Sequence, residues 1–377
     1  MHQDFDLIVI GGEVFDSRTG SYATQDLGFR NGKVVALQPN LEQNLADEVY
    51  DASGAIIAPG LIDMHAHVFD CVADSVDADE ACLPRGTTTV VDGGSAGANT
   101  FEAFLRLTQH KATRVLAWLN LSTIGQVDTR VGELLAAPHA DVDRAILTIE
   151  KHPDLIVGLK ARLSTYVVGG TAVPVLKRLR ECADEVNLPV MVHIGDTGEP
   201  LATILDYLRP GDVVTHMMTG RKNGIVDAQG KVMPEVREAR ERGIVFEAAR
   251  GMNHESFIVL EACLDQGFLP DVISTDLTKD TAKNSEYGLP LMASHLMSFG
   301  ASITDVLMAM TSVPARVINR PELGTLSEGG IGDCTVLRVV NHPARLIDVD
   351  GRTREVQKQL RVDAVIRNGR IESTRAS

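Results

Sequence analysis

The chain has 377 residues, 44% of them hydrophobic and 23% charged, a composition that excludes disorder as the main state. With 36 basic against 51 acidic residues its net charge is −15. Such a surface repels phosphate backbones, so nucleic acid is not expected as a partner.

No apolar run approaches the roughly 18 residues of a membrane-spanning helix, and no membrane association is expected. The N-terminal stretch has no basic region before its short apolar run and reads as a strand, not a signal peptide. Cys71, Cys82, Cys182, Cys263 and Cys334 are scattered, with no C-x-x-C spacing. They read as reduced thiols of a cytoplasmic protein.

The first elements are short strands, DLIVIGGEVFD and DLGFRNGKVVALQ, joined by Gly and Asn-Gly turns. The chain ends the same way, with GDCTVLRVV and RVDAVIRNGRIE. Arg30-Asn31-Gly32-Lys33 and Arg367-Asn368-Gly369-Arg370 are near-copies at hairpin turns. Residues 1–55 and 322–377 are therefore expected to form one small composite β-sandwich.

Residues 56–321 alternate differently. Eight apolar runs recur: AIIAPGLIDMH, TTTVVDGG, VLAWLNLS, DLIVGLKARLS, PVMVHIGD, DVVTHMM, IVFEAA and DVISTDL. Stretches such as VPVLKRLRECADEV and MPEVREARERG read as helices between them. Near-continuous apolar strands followed by helices predict parallel strands buried on both faces, and eight units predict an α/β (β/α)8 TIM barrel. The competing fold is an open doubly wound sheet; no G-x-G-x-x-G follows a first strand to favour a dinucleotide-binding version.

A barrel of this kind carries function at the C-terminal ends of its strands. There the sequence places His65 and His67 after the first run, Lys160 and Arg162 in the fourth, His193 in the fifth, His216 in the sixth and Asp276 in the eighth. His65 and His67, two apart on a strand, share a face. Singly, each residue has a bland reading: an incidental H-x-H, a core histidine, a helix cap. Jointly they point into one mouth, and imidazole with carboxylate suits zinc, manganese, iron or nickel. Lys160 would be poorly solvated there, and burial lowers its pKa. A neutral amine can add CO2 to give an anionic carbamate able to bridge two cations. The other reading is a lysine that reaches solvent or pairs with Asp276.

The stretch Ala58-Pro59-Gly60-Leu61-Ile62-Asp63-Met64-His65-Ala66-His67 resembles the first-strand signature of the amidohydrolase superfamily. The order Lys160, His193, His216, Asp276, at spacings of 33, 23 and 60 residues, resembles binuclear members that use a carboxylated lysine. The dihydroorotase-like amidohydrolase/deacetylase subgroup is the most similar. This resemblance implies two divalent metal ions, zinc by expectation. His65 and His67 would bind the more buried ion, and His193 and His216 the second. A CO2-derived carbamate on Lys160 would bridge them. Asp276 would ligate the buried ion and act as general base and acid toward a bridging hydroxide that attacks the substrate carbonyl.

Arg162 shares the lumenal face with Lys160 and is a candidate for binding a substrate carboxylate; the alternative is an ion pair with a loop acid. An arginine here resembles subgroup proteins acting on N-acetyl-amino acids or acetylated 2-hydroxy acids, which implies a small anionic acylated substrate cleaved at an amide or ester bond. Weaker candidates for substrate contact are Asn99, in the loop after the second run, and Arg250 and His254, after the seventh. The family often carries an Asp followed by a Gly/His-rich loop at this last segment, so the chain departs from it. Met217 and Met218 read as an apolar wall or plain packing, Cys71 as a buried thiol near the mouth, and Asp63 as support below the metals.

The alternative function is a cyclic amidase of dihydroorotase or hydantoinase type. Against it, Leu277-Thr278-Lys279-Asp280 follows Asp276 where true dihydroorotases are histidine-rich. A non-catalytic assembly partner is disfavoured because all six ligands are present. Self-association into a homo-oligomer stays open.

Overall fold

The computed structural model describes residues 4–72, 74–128 and 130–374. Seven strands come first: β1 (Phe5–Ile10), β2 (Glu13–Asp16), β3 (Ser21–Thr24), β4 (Asp26–Arg30), β5 (Lys33–Gln38), β6 (Ala46–Asp51) and β7 (Ile56–Pro59). Eight more follow: β8 (Leu61–Ala66), β9 (Thr87–Asp92), β10 (Arg114–Asn120), β11 (Ile156–Arg162), β12 (Val190–His193), β13 (Val213–Thr215), β14 (Val245–Ala249) and β15 (Val272–Ser274). The last are β16 (Cys334–Ile347), β17 (Thr353–Arg367) and β18 (Arg370–Thr374).

Strands β8 to β15 form one parallel sheet in sequence order, with helices between them. Every residue of β8, β9, β11, β12, β13 and β15 is buried, as strands covered on both faces require. The sheet curls into a TIM barrel, with one of these strands in each of the eight apolar runs. Its seam, between β15 and β8, is not a regular ladder. It is held by a single bridge, Ala66 to Leu277, with the Asp276 N–H donating to the His65 carbonyl at 2.6 Å and the His67 N–H to the Leu277 carbonyl at 2.9 Å.

Two sheets flank the barrel: one of order β5-β4-β1-β6 from the N-terminal residues alone, and one of order β18-β17-β16-β7-β2-β3 that joins both chain ends. Leu7, Leu27 and Phe29 from the first meet Ile57, Val336 and Ile366 from the second in one apolar core. The first apolar run is two strands. Its front half, β7, pairs with β16 and β2; its back half, β8, opens the barrel. The break falls at Gly60, where a Cβ would overlap the Thr88 hydroxyl. The twin Asn-Gly turns meet: the Gly369 N–H donates to the Gly332 carbonyl at 2.7 Å, and the Gly332 N–H to Gly32 at 2.9 Å.

The C-terminal strands are longer than the sequence suggests. Only Cys334–Leu337 of β16 pairs with β7; β16 and β17 stay paired beyond it to Ile347 opposite Thr353. This two-stranded ribbon lies on the helix Leu289–Ser298, where the Leu360 N–H donates to Ser294 Oγ at 2.9 Å. Its tip reaches the loop after β14. No helix among the described residues is long and apolar enough to cross a membrane.

Candidate metal centre

The barrel brings His65, His67, Lys160, Arg162, His193, His216, His254 and Asp276 to one cavity. Local backbone geometry sets the aim of several of them. The pairing of β8 with β9 shifts register between Asp63 and Ala66, an irregularity that re-aims side chains at a strand end. His216 and Asp276 adopt left-handed backbone, with φ of 69° and 53°. Asp276 Oδ1 lies 3.1 Å from His67 Nε2 and 3.6 Å from His65 Nε2. Among the described residues, one donor atom each from His65, His216 and Asp276 lies within 4.8 Å of the others, as it does for His193, His216 and His254.

The hydrogen bonds behind these rings suit them to a cation. His65 Nδ1 faces Glu247 Oε2 at 3.1 Å and Thr215 Oγ1 at 3.0 Å. His216 Nδ1 faces the Ala249 carbonyl at 3.0 Å, and His67 Nδ1 faces Ser95 Oγ at 2.7 Å. A carboxylate or carbonyl only accepts, so Nδ1 of His65 and of His216 carries the proton and Nε2 keeps its lone pair, the tautomer a metal ligand needs. Burial, with smaller effects from neighbouring groups, holds the pKa of His65 below its usual value and those of His193 and His216 well below it. The rings are therefore neutral at pH 7. The donor set fits divalent metal ions of the zinc type.

Lys160 is 1% exposed. Its Nζ lies 3.1 Å from His65 Nε2 and 3.1 Å from Met191 Sδ. Neither bland expectation for it holds: it does not reach solvent, and Asp276 is not within ion-pair distance. Burial pushes its pKa down to about 8, partly offset by Glu247 and Asp276.

Close backbone approach makes the rest of the cradle. A Cβ on Gly94 would stand 2.7 Å from Lys160 Cγ, one on Gly93 would overlap the His65 ring, and one on Gly251 would overlap Asp276 Oδ2. Asp92 gathers the N–H groups of Val68, Gly94 and Ser95. Asp63 accepts from Thr275 Oγ1 at 2.5 Å and from the Thr275 and His65 N–H groups; burial raises its pKa to about 7.

The remaining candidates divide. Arg162 lines the cavity and also forms a bidentate pair with buried Glu133, at 2.8 and 2.6 Å, with Nη1 toward the Tyr166 hydroxyl at 3.3 Å. His254 lines the cavity with burial lowering its pKa to about 4. Asn99 and Arg250 are not brought to the cavity lining. The Asn99 side chain accepts from Arg144 at 2.5 Å, away from the cavity lining. Arg250 turns to the buried Glu255 carboxylate at 2.9 Å and to the Ile347 carbonyl at 3.1 Å, because a fully buried carboxylate requires a cation. Met217 and Met218 pack in the barrel core, and Cys71 is exposed, not buried.

Glu133 and Glu247 are functional neighbours that the sequence reading passed over. Glu247, an acid inside the apolar run IVFEAA, was a usable signal; Glu133, in a loop, left none.

At the strand ends of a TIM barrel the chain thus gathers residues that could hold a metal ion. Residues 56–371 match the amidohydrolase family; the chain belongs to that family and is a hydrolase. It is similar to a deacetylase of Enterococcus faecalis, 29% identical over 98% of this chain and 99% of the relative. A deacetylase of Agrobacterium fabrum is 32% identical over 87% and 81%. A crystal structure described as an adenine deaminase matches with a TM-score of 0.91 at 29% identity, covering 98% of this chain and 99% of its own. One described as a dihydroorotase matches at 0.89 and 29%, covering 97% and 98%.

Proposed function

We propose that this chain is a binuclear metal-dependent acyl hydrolase. Its substrate would be a small anionic acylated molecule, of the N-acetyl-amino acid or acetylated 2-hydroxy acid type, cleaved at its amide or ester bond. The observation that carries this reading is the convergence of His65 and His216, with their Nδ1 atoms engaged, on Asp276 beside the buried Lys160. Similarity to proteins named deacetylases over nearly the whole chain supports the acyl class.

Two divalent ions, zinc in this reading, would be held by His65, His67, His193, His216, Asp276 and carboxylated Lys160; when bound they supply Lewis acidity and an activated water. The Lys160 amine, deprotonated more readily because it is buried, attacks CO2 through Nζ and releases a proton to give the carbamate. Its lack of a carboxylate partner supports this modification. Asp276 takes a proton from the attacking water and delivers it to the leaving nitrogen or oxygen. Burial opposes the charge on Asp276, but polar contacts such as that with His67 at 3.1 Å hold its pKa well below the usual carboxylate range, so it starts as a base. Arg162, fixed on one side by Glu133, presents Nη1 to the substrate carboxylate.

The test is protein reconstituted with zinc and bicarbonate. Its panel holds D- and L-N-acetyl-amino acids, acetylated 2-hydroxy acids, dihydroorotate, hydantoins and adenine. Release of acetate is expected, with Asp276→Asn lowering kcat by about 10²–10⁴-fold while much of the metal remains. Turnover of cyclic amides alone would establish the cyclic amidase reading, and ammonia from adenine a deaminase.

A further inference from the structure

His254 lies close enough to His193 and His216 for the three to be mistaken for one ligand set. Two observations separate it from them. Its ring stacks on that of His216, with centroids 4.0 Å apart and planes 24° from parallel. An ion held by an imidazole lies in the ring plane, along the nitrogen lone pair. Stacked rings send their lone pairs side by side, so one ion cannot sit on both. His193 and His216, at 70°, can converge.

The second observation is where the protons go. Nδ1 of His65 and of His216 each face a group that only accepts, the Glu247 carboxylate and the Ala249 carbonyl, whereas Nδ1 of His254 faces only the Thr219 hydroxyl among the hydrogen-bond partners of the described residues, at 3.2 Å. That oxygen already accepts the Arg221 N–H at 3.2 Å. Thr219 is 1% exposed, and among the described residues its own proton has no other acceptor in reach. The hydroxyl therefore donates to Nδ1, and the neutral ring carries its proton on Nε2. This hydrogen-bond network gives His254 the tautomer opposite to that of His65 and His216.

We infer that His254 is a catalytic residue outside the metal ligand set, presenting Nε2–H to the acyl oxygen as that oxygen gains negative charge. The inference rests on the acyl-hydrolase reading. His254 stacks on His216 and meets His193, whereas Asp276, the proton acceptor, contacts His65 and His67 and shares a cluster with His216. Donor and base thus both adjoin His216 in one cavity. A preorganised donor of this kind contributes about 10²–10³-fold to kcat. Thr219 acts through His254 and is a positioning residue.

The experiment compares His254→Ala, His254→Gln, Thr219→Val and Thr219→Ser with the parent protein. It reads bound metal per chain, the visible spectrum of the cobalt-substituted forms, and kcat and KM on the best panel substrate. Expected are two metal equivalents and an unchanged cobalt spectrum throughout. His254→Ala should lose about 100-fold in kcat with little change in KM. His254→Gln, which keeps an N–H near the Nε2 position, should recover part of that loss. Thr219→Val should fall with His254→Ala, and Thr219→Ser should stay near the parent.

Loss of a metal equivalent or a changed cobalt spectrum in His254→Ala would make His254 a ligand and overturn the proposal. So would an unchanged kcat, or a loss confined to KM. A parent protein that turns over none of the panel would overturn the acyl-hydrolase reading and, with it, the acceptor oxygen named here. The metal and cobalt readings would then still decide whether His254 is a ligand.

Discussion

Asp276 and His216 are held in backbone conformations that non-glycine residues avoid, at a cost of about 1–2 kcal/mol each. Such strain persists only where neighbours over-determine it. For Asp276 the neighbours are its N–H bond to His65, its Oδ1 contact with His67, and Gly251 pressed against Oδ2. On the Gly251 side the carboxylate has no room for a further atom. Gly251→Ala is therefore expected to displace it, because the new methyl group would occupy the Oδ2 position. We expect kcat to fall at least tenfold, about 1.4 kcal/mol in the barrier. Stability read from the urea midpoint should fall by at least the ~1–2 kcal/mol that a left-handed alanine costs. Parent-like turnover in Gly251→Ala would show that the position of Asp276 is not what limits catalysis. The ligand-type residues were legible in the sequence because each ends an apolar run. What stands behind them was not: Glu247 meets His65 across the barrel, 182 positions along the chain. No local pattern announces such a contact.

The barrel strands were legible as elements because burial on both faces leaves a run with almost no polar interruption. The first run misled by hiding two strands, since periodicity does not mark where one sheet hands the chain to another; Gly60 was the available sign. The ribbon was missed for the opposite reason. Outside the sheet, β16 and β17 are half exposed and their apolar alternation dissolves, although Asp350-Gly351 marks a turn. At the tip, Asp348 Oδ2 accepts the Phe257 N–H at 2.9 Å, capping a helix, Phe257–Asp265, that has no side-chain cap from Ser256. Asp348 Oδ1 accepts the Asp350 and Arg352 N–H groups. The Val349 N–H donates to the Glu255 carbonyl at 3.2 Å. The ribbon therefore anchors the far end of the loop that carries His254. Asp348→Ala removes a cap and two turn bonds together, and should cost about 1–2 kcal/mol, read as a lower urea midpoint. A midpoint within error of the parent would show that the tip rests on the barrel without bracing it.

At the scale of the whole molecule, the proposed metal site and the barrel seam coincide. Every other neighbouring pair of barrel strands shares at least three register partners, whereas β8 meets the β15 side only through one isolated bridge, to Leu277 just past the strand. His65 and His67 belong to one side of that gap and Asp276 to the other; two backbone hydrogen bonds across the seam run through His65, His67, Asp276 and Leu277 themselves, and Thr275 donates to the Asp63 side chain below them. Ions bound across it would complete the closure that the backbone leaves thin. Binding to the folded state alone stabilises it by about 2.7 kcal/mol at 100 times the dissociation constant, and here the gain should be local as well as global. Stripping the metal with a chelator should lower Tm. It should also speed amide exchange chiefly in peptides spanning residues 61–67 and 272–278, with little change in the β16–β17 ribbon, because local opening follows the weakest cooperative unit. Hydrogen exchange by mass spectrometry on loaded and stripped protein reads this directly. Acceleration spread evenly over all eight strands would mean that the ions stabilise the barrel as one unit, and the seam would lose its special place. Faster exchange confined to the His193 and His216 strands would put the structural weight on the second ion instead.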